Sequence, residues 1–188
     1  RVRANAIKAL WEKGIRFGLN TLSEELRSPN TRKRASVAYI LGEIQEDKSL
    51  ELLVGLLSDI SPTVRNRAVL SLGKIGSSRM ISHLVNAFFN EDELNIRETI
   101  VLTILKINQE LAMNQLLEKY DSEENSRSRS ILVKCLGKAN NQSTLPLLAK
   151  ALKDGDARVR ANAVEAVGQL KDPALSDLLI PLLNDGNN

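Results

Sequence analysis

The chain has 188 residues, 43% of them hydrophobic but only 3% aromatic, and its 26 basic and 23 acidic residues leave a formal net charge of +3. A single cysteine, Cys135, excludes an intrachain disulfide, and a single histidine, His83, excludes zinc sites built from several His and Cys ligands and any multi-histidine iron site. Apolar runs such as IVLTIL and LLIPLL fall far short of the roughly 18 residues a membrane-spanning helix needs, and the first residues show no signal-peptide pattern.

Taken in chain order, the first element is an amphipathic segment over 1–14, carried by RANAIKALW from Arg3. Its pattern is an arginine, apolar residues three, four and seven positions later, and often a glycine at eight. It returns as RASVAYILG at Arg34, RNRAVLSLG at Arg65, RETIVLTIL at Arg97, RSILVKCLG at Arg129 and RANAVEAVG at Arg160, at intervals of 31, 31, 32, 32 and 31 residues. Positions three, four and seven share one face of a helix, so each occurrence predicts an amphipathic helix B. A second apolar-periodic segment precedes each full helix B and predicts a helix A: LNTLSEEL, LELLVGLL, MISHLVNAFF, LAMNQLLEKY and LPLLAKAL, with LSDLLIPLL at the end. The predicted units are 1–14 (helix B only), 15–44, 45–76, 77–107, 108–139, 140–170 and 171–188 (helix A only). Turn residues such as Ser28-Pro29-Asn30 and Lys153-Asp154-Gly155 separate the helices, and Ser61-Pro62 and Asp172-Pro173 each put a capping residue before a proline at the first helical position. The glycines Gly42, Gly73, Gly137 and Gly168 are expected to serve packing against the next helix A or the turn.

Joining the last residues, DGNN, to the first, RVRANA, reproduces the internal DGDARVRANA of Asp154 to Ala163. The expectation is a whole number of repeats from a longer solenoid, with apolar strips exposed at both ends. The composition fits a reducing, cytoplasmic setting.

These units resemble bacterial HEAT-like repeats of the short kind found in phycobilin lyase subunits, most closely in DARVRANAVEAVGQL (Asp156 to Leu170) and SPTVRNRAVLSLGKI (Ser61 to Ile75). The unit at Arg97 has lost both the alanine and the glycine. The resemblance implies an all-α fold, a right-handed α-solenoid of about six two-helix repeats, with A helices on a convex outside and B helices on a concave inside. It also implies that each helix B arginine pairs with an acidic residue in the preceding turn. Asp59, Glu91, Glu123 and Asp154 stand six residues before Arg65, Arg97, Arg129 and Arg160, whereas Ser28 breaks the pattern at Arg34. The six arginines, Arg3 included, are read as structural rather than as an anion-binding ladder.

With positions three, four and seven in the core, positions two, five and nine project from helix B. In the middle of the array they supply Tyr39, Leu70 and Leu102, edged by Arg67, Lys74, Lys106, Lys134 and Lys138. An apolar stripe beside positive charge suits an acidic, partly apolar protein or peptide partner. A shift of phase by one residue would instead bury Leu70 and Leu102, and that alternative stays open at this point. The expected function is a non-catalytic scaffold or adaptor without metal or cofactor. One alternative is nucleic-acid backbone binding through the same cations; another is a phycobilin-lyase-like subunit. Deoxyhypusine hydroxylase, built on similar repeats, holds iron with His-Glu pairs. Leu84 follows His83 here, so that activity is not expected. HEAT-like DNA glycosylases use aromatic side chains on the concave face. The only tryptophan, Trp11, lies in the first segment and reads as a packing residue. Cys135 reads as a small buried hydrophobe and His83 as a surface residue of helix A.

Overall fold

The computed structural model describes residues 6, 7, 9–11, 13 and 19–185. Arg3 and the other residues of 1–5 lie outside them. All the regular structure among the described residues is helical, and the chain forms two compact units, Arg1–Ile107 and Asn108–Asn188.

In the first unit, Ala6, Ile7, Ala9, Leu10 and Trp11 are helical. They are followed by α1 (Leu19–Glu25), α2 (Thr31–Ile44), α3 (Asp47–Gly55, extended by a 3-10 turn over Leu56–Ser58), α4 (Pro62–Ile75), α5 (Ile81–Asn90) and α6 (Leu94–Ile107). The A helices are α1, α3 and α5, and the B helices are α2, α4 and α6. Successive B helices pack side by side, α2 on α4 and α4 on α6, while each A helix lies against the B helices beside it. The second unit repeats the scheme with α7 (Gln109–Ser122), α8 (Ser126–Ala139), α9 (Leu145–Ala151), α10 (Ala157–Gln169) and α11 (Ser176–Leu179). There α8 packs on α10, and the A helices α7 and α9 touch.

The amphipathic period explains what is buried. Positions three, four and seven after each arginine are Val37, Ala38 and Leu41 on α2, Ala68, Val69 and Leu72 on α4, Ile100, Val101 and Ile104 on α6, and Leu132, Val133 and Leu136 on α8, all buried. On α10 Ala163 and Val167 are buried, but Val164 is 37% exposed, and Ile180 and Leu183 further on are exposed too. Each fully buried leucine or isoleucine contributes about 1.5–3 kcal/mol of transfer free energy, so the narrow core is the main stabilising term.

The glycines have a different role from the one expected. A Cβ on Gly42 would lie 2.7 Å from the Ser71 Cβ, one on Gly73 2.8 Å from the Thr103 methyl, and one on Gly137 2.7 Å from the Ala166 Cβ. Position eight of one helix B therefore accepts position six of the next helix B, and no helix A residue is among these contacts. The small or short residues at both positions let the two backbones approach closely. Gly168 meets nothing within 4 Å.

Capping follows local chemistry at most turns. Asn30 accepts from the Arg32 and Lys33 amides, Asn125 from Arg127 and Ser128, and Asp156 from Arg158 and Val159. Asp172 caps the 3-10 turn over Pro173–Leu175 through the Ala174 amide. Ser61 precedes Pro62 at the start of α4 but makes no side-chain cap bond; its own N–H donates to Asp59 Oδ1 at 2.8 Å. The carboxylate two residues earlier thus organises this turn where a serine cap was expected.

Candidate interaction face of the B helices

The helix B arginines define the electrostatic frame, and their partners correct the expected pairing. Arg34 donates through Nε and Nη2 to both carboxylate oxygens of Asp59, at 2.7 and 2.8 Å. Arg65 holds Glu91 in the same forked way at 2.7 Å, and Arg129 holds Asp154 at 2.8 and 2.9 Å. Arg160 holds Asp185 at 2.6 and 2.8 Å. The acidic partner belongs to the following turn, 25 or 26 residues downstream. From the preceding turn each arginine takes a backbone carbonyl: Ser28 for Arg34, Asp59 for Arg65, Glu91 for Arg97, Glu123 for Arg129 and Asp154 for Arg160. Ser28 is therefore no exception, because any residue supplies a carbonyl. The six-residue spacing is real, but the carboxylates of Asp59, Glu91 and Asp154, which it places before Arg65, Arg97 and Arg160, bind the arginine of the repeat before.

Three of these four carboxylates are also tied into their own turns. Asp59 accepts from the Ser61 amide, Glu91 from Asp92 and Glu93, and Asp154 from Asp156. The Arg34 guanidinium holds the Asp59 carboxyl below its usual range. At Glu91, burial pushes the pKa up, but the Arg65 bond and the two amides outweigh it, and the net shift is downward. Asp154 is brought down to about 2, burial again being outweighed by Arg129, the Asp156 amide and the Tyr120 hydroxyl. Burial, and donation to Asp154, push the Tyr120 phenol up. With the fork on the carboxylate and Nη1 on a carbonyl, these four guanidinium groups are engaged by the fold.

The face itself lies on the other side of the B helices. In the first unit Tyr39, Leu70 and Leu102 occupy position five of α2, α4 and α6 and are 40%, 45% and 53% exposed. Since α2 packs on α4 and α4 on α6, the three side chains share one face of that unit. Arg67 stands over the Tyr39 ring, its guanidinium carbon 6.0 Å from the centroid. Lys74 engages the Glu43 carboxylate, and Lys106 is exposed. In the second unit Lys134 and Lys138 are exposed at the corresponding positions of α8. The out-of-phase alternative, with Leu70 and Leu102 in the core, does not occur. Cys135 is buried on α8, and His83 is exposed on α5. Residue-by-residue reading of the sequence missed the space around His83, which arises only from how two A helices stand beside each other.

A family model for HEAT repeats matches residues 19–105 and 113–188, so the chain belongs to the HEAT-repeat family, an all-α solenoid of paired helices. Its relatives in sequence include the deoxyhypusine hydroxylase of Candida glabrata, 33% identical over 107 residues, which cover 56% of this chain and 30% of the relative. Deoxyhypusine hydroxylase-B of Oryza sativa is 32% identical over 75 residues, or 39% of this chain and 25% of the relative. The match thus spans about a quarter to a third of these curated relatives. Among solved structures, the complex of CpcE and CpcF of phycocyanin lyase from Nostoc is 21% identical with a TM-score of 0.48, covering 92% of this chain and 72% of that one. Human deoxyhypusine hydroxylase in complex with glycerol is 18% identical with a TM-score of 0.42, covering 98% and 91%.

The sequence relatives overturn the expectation of a protein without enzymatic function, because deoxyhypusine hydroxylases are enzymes. The physical reason is that the repeat register constrains packing positions and leaves exposed ones open, so the fold is silent on catalysis. The histidine count bears on the iron site alone. Among the described residues no group of three or more His, Cys, Asp or Glu is arranged to hold a metal ion, so the iron of a hydroxylase does not fit the residues present.

Proposed function

We propose that this chain is a HEAT-repeat binding module that takes a protein or peptide partner on the B-helix face of its first unit. The observation that carries this is the stripe of Tyr39, Leu70 and Leu102, 40–53% exposed at one register position of three neighbouring helices. Large apolar side chains held in a row by a rigid scaffold serve as anchors, and burying them on a partner recovers transfer free energy that solvent exposure leaves unused. Arg67, Lys74 and Lys106 on the edges select an acidic, partly apolar segment and steer its approach, and Lys134 and Lys138 offer the same chemistry in the second unit.

The test is capture of partners by the wild-type chain beside a Leu70→Glu, Leu102→Glu variant, followed by affinity measurement on each purified partner at two salt concentrations. The expected result is a protein bound by the wild type, lost by at least about a hundredfold in the variant, and retained in moderate salt. Partners held equally by both chains would remove the assignment. Binding to nucleic acid with a steep salt dependence would favour the phosphate-backbone reading of the same cations.

The relationship to deoxyhypusine hydroxylases favours a second reading, in which these repeats serve a catalytic protein. Mass analysis of a deoxyhypusine-containing protein after incubation with the chain and ferrous iron tests it: hydroxylated product supports it, and none removes it for this chain. Co-purification of a bilin pigment would support the alternative of a phycobilin-lyase-like subunit.

A further inference from the structure

The B helices of the first unit are drawn together at Gly42 and Gly73, but the A helices α3 and α5 leave a groove between them. Two cavities of about 500 and 400 Å³ lie along it as neighbours, with Val54 and His83 lining both. The groove's aliphatic positions are Leu50, Val54 and Leu57 on the α3 side and Met80 and Ala87 on the α5 side, and in the larger cavity Ser58, Asn86 and Asn90 interrupt them. The aliphatic residues recur at intervals of three, four or seven, which gives each wall an apolar helical stripe. At the mouth stands Ile60, 91% exposed on the turn before α4. Its side chain is open to solvent and so accessible to a ligand in the cavity beside it.

The rim is acidic. Five carboxylates line the two cavities; Asp59 is held by Arg34, Glu91 by Arg65 and Asp47 by Arg79, which leaves Glu51 and Asp92 as the charges outside these pairs. Glu51 near one end and Asp92 near the other are exposed, and among the described residues neither holds a salt bridge. A partly aliphatic floor with outlying carboxylates is the complement of lysine and arginine side chains, whose aliphatic stems cover apolar surface while their heads stay at the solvent edge. It repels phosphate and acidic peptides.

We propose that the groove between α3 and α5 docks a cationic amphipathic segment of a partner protein, its aliphatic side chains on the floor and Ile60 and its lysines or arginines on Glu51 and Asp92. The occupant has the opposite charge to the one proposed for the B-helix face, and the inference does not depend on that face.

His83 is the only histidine and lines both cavities, so its imidazole resonances report on the groove alone. The experiment titrates the histidine-labelled chain with an amphipathic leucine–lysine peptide and, separately, with its leucine–glutamate counterpart. A saturable shift of the His83 signals by the first peptide and none by the second is the expected result. In the Glu51→Lys, Asp92→Lys chain the Kd rises by at least about tenfold, and in the milder Glu51→Gln, Asp92→Asn chain by less, whereas Leu70→Glu leaves it within about twofold. Absence of a saturable shift, or equal affinity of the charge-reversed chain, overturns the proposal. So does a His83 shift produced by concentrating the chain without peptide, which would put a second copy in the groove.

Discussion

At position five of the B helices the first unit displays Tyr39, Leu70 and Leu102, whereas the second displays Lys134 and Glu165. At positions six and eight the two units agree: Gly42 meets Ser71, Gly73 meets Thr103, and Gly137 meets Ala166, each within 2.8 Å of a built Cβ. The outward position varies freely between the units because nothing packs on it. Where position eight is glycine and packs on the next helix B, as at Gly42, Gly73 and Gly137, one added methyl group would collide; α6, which carries Leu105 there, departs from the pattern. Recognition chemistry and fold are therefore written at different places of the same helix.

The comparison can be broken most sharply at the arginine forks. In the second unit Arg129→Met leaves Asp154, whose side chain is 5% exposed, without its main partner and is expected to cost about 3 kcal/mol. In the first unit Arg79→Met removes a pair whose side chains are 66% and 78% exposed and should cost less than about 0.5 kcal/mol. Urea unfolding of the two variants measures both, and similar losses would mean that the forks are not the stabilising contact described here.

Next in size are the glycines. Gly137→Val forces its side chain onto the Ala166 Cβ and backbone and should cost about 2 kcal/mol, while Gly168→Ala enters open space and should stabilise by up to about 1 kcal/mol. Thermal melts of the pair decide whether position eight is constrained by its neighbour or by the helix alone. Acid has an effect in both units. Asp59, Glu91 and Asp154 all have folded pKa values below the ordinary carboxylate range, so their stabilisation is complete above that range and is lost as pH falls through it, for Asp154 down to about 2. The urea midpoint should therefore drop between about pH 4 and about pH 2, with a shallower slope in Arg129→Met. The smallest effect belongs to the outward position: Leu70→Glu should change stability by no more than about 0.5 kcal/mol, and a larger loss would mean that this side chain belongs to the core.

Much of this was legible in the residues. The 31- or 32-residue return of arginine and its apolar followers identifies the B helices, and the period of the apolar residues separates Val37, Val69 and Leu72 from Tyr39 and Leu70. What the spacing could not resolve was which neighbour each contact uses. An acid six residues before an arginine and one 25 residues after the previous arginine are the same residue in a repeat, so the spacing points the Asp59 carboxylate at Arg65 when it binds Arg34 and only the Asp59 carbonyl meets Arg65. The glycines posed the same ambiguity between the next helix A and the next helix B. Periodicity reports that a contact recurs but leaves open across which seam. The groove beside His83 was invisible for another reason: Val54 and Ala87 read as ordinary half-buried helix positions, and only the separation of α3 from α5 turns them into walls.

The forward reach of each arginine also gives the array a grammar. Every described fork joins one unit of the repeat to its successor through the same two kinds of position, a guanidinium early in helix B and a carboxylate in the next turn. A repeat that carries one of these joints, at Arg34, Arg65, Arg129 or Arg160, meets compatible chemistry when set in another such place, while it brings its own outward residues along. Modules of about 31 residues can thus be shuffled, duplicated or excised with their joints preserved, which makes the surface evolvable by cut-and-paste at little cost to the scaffold.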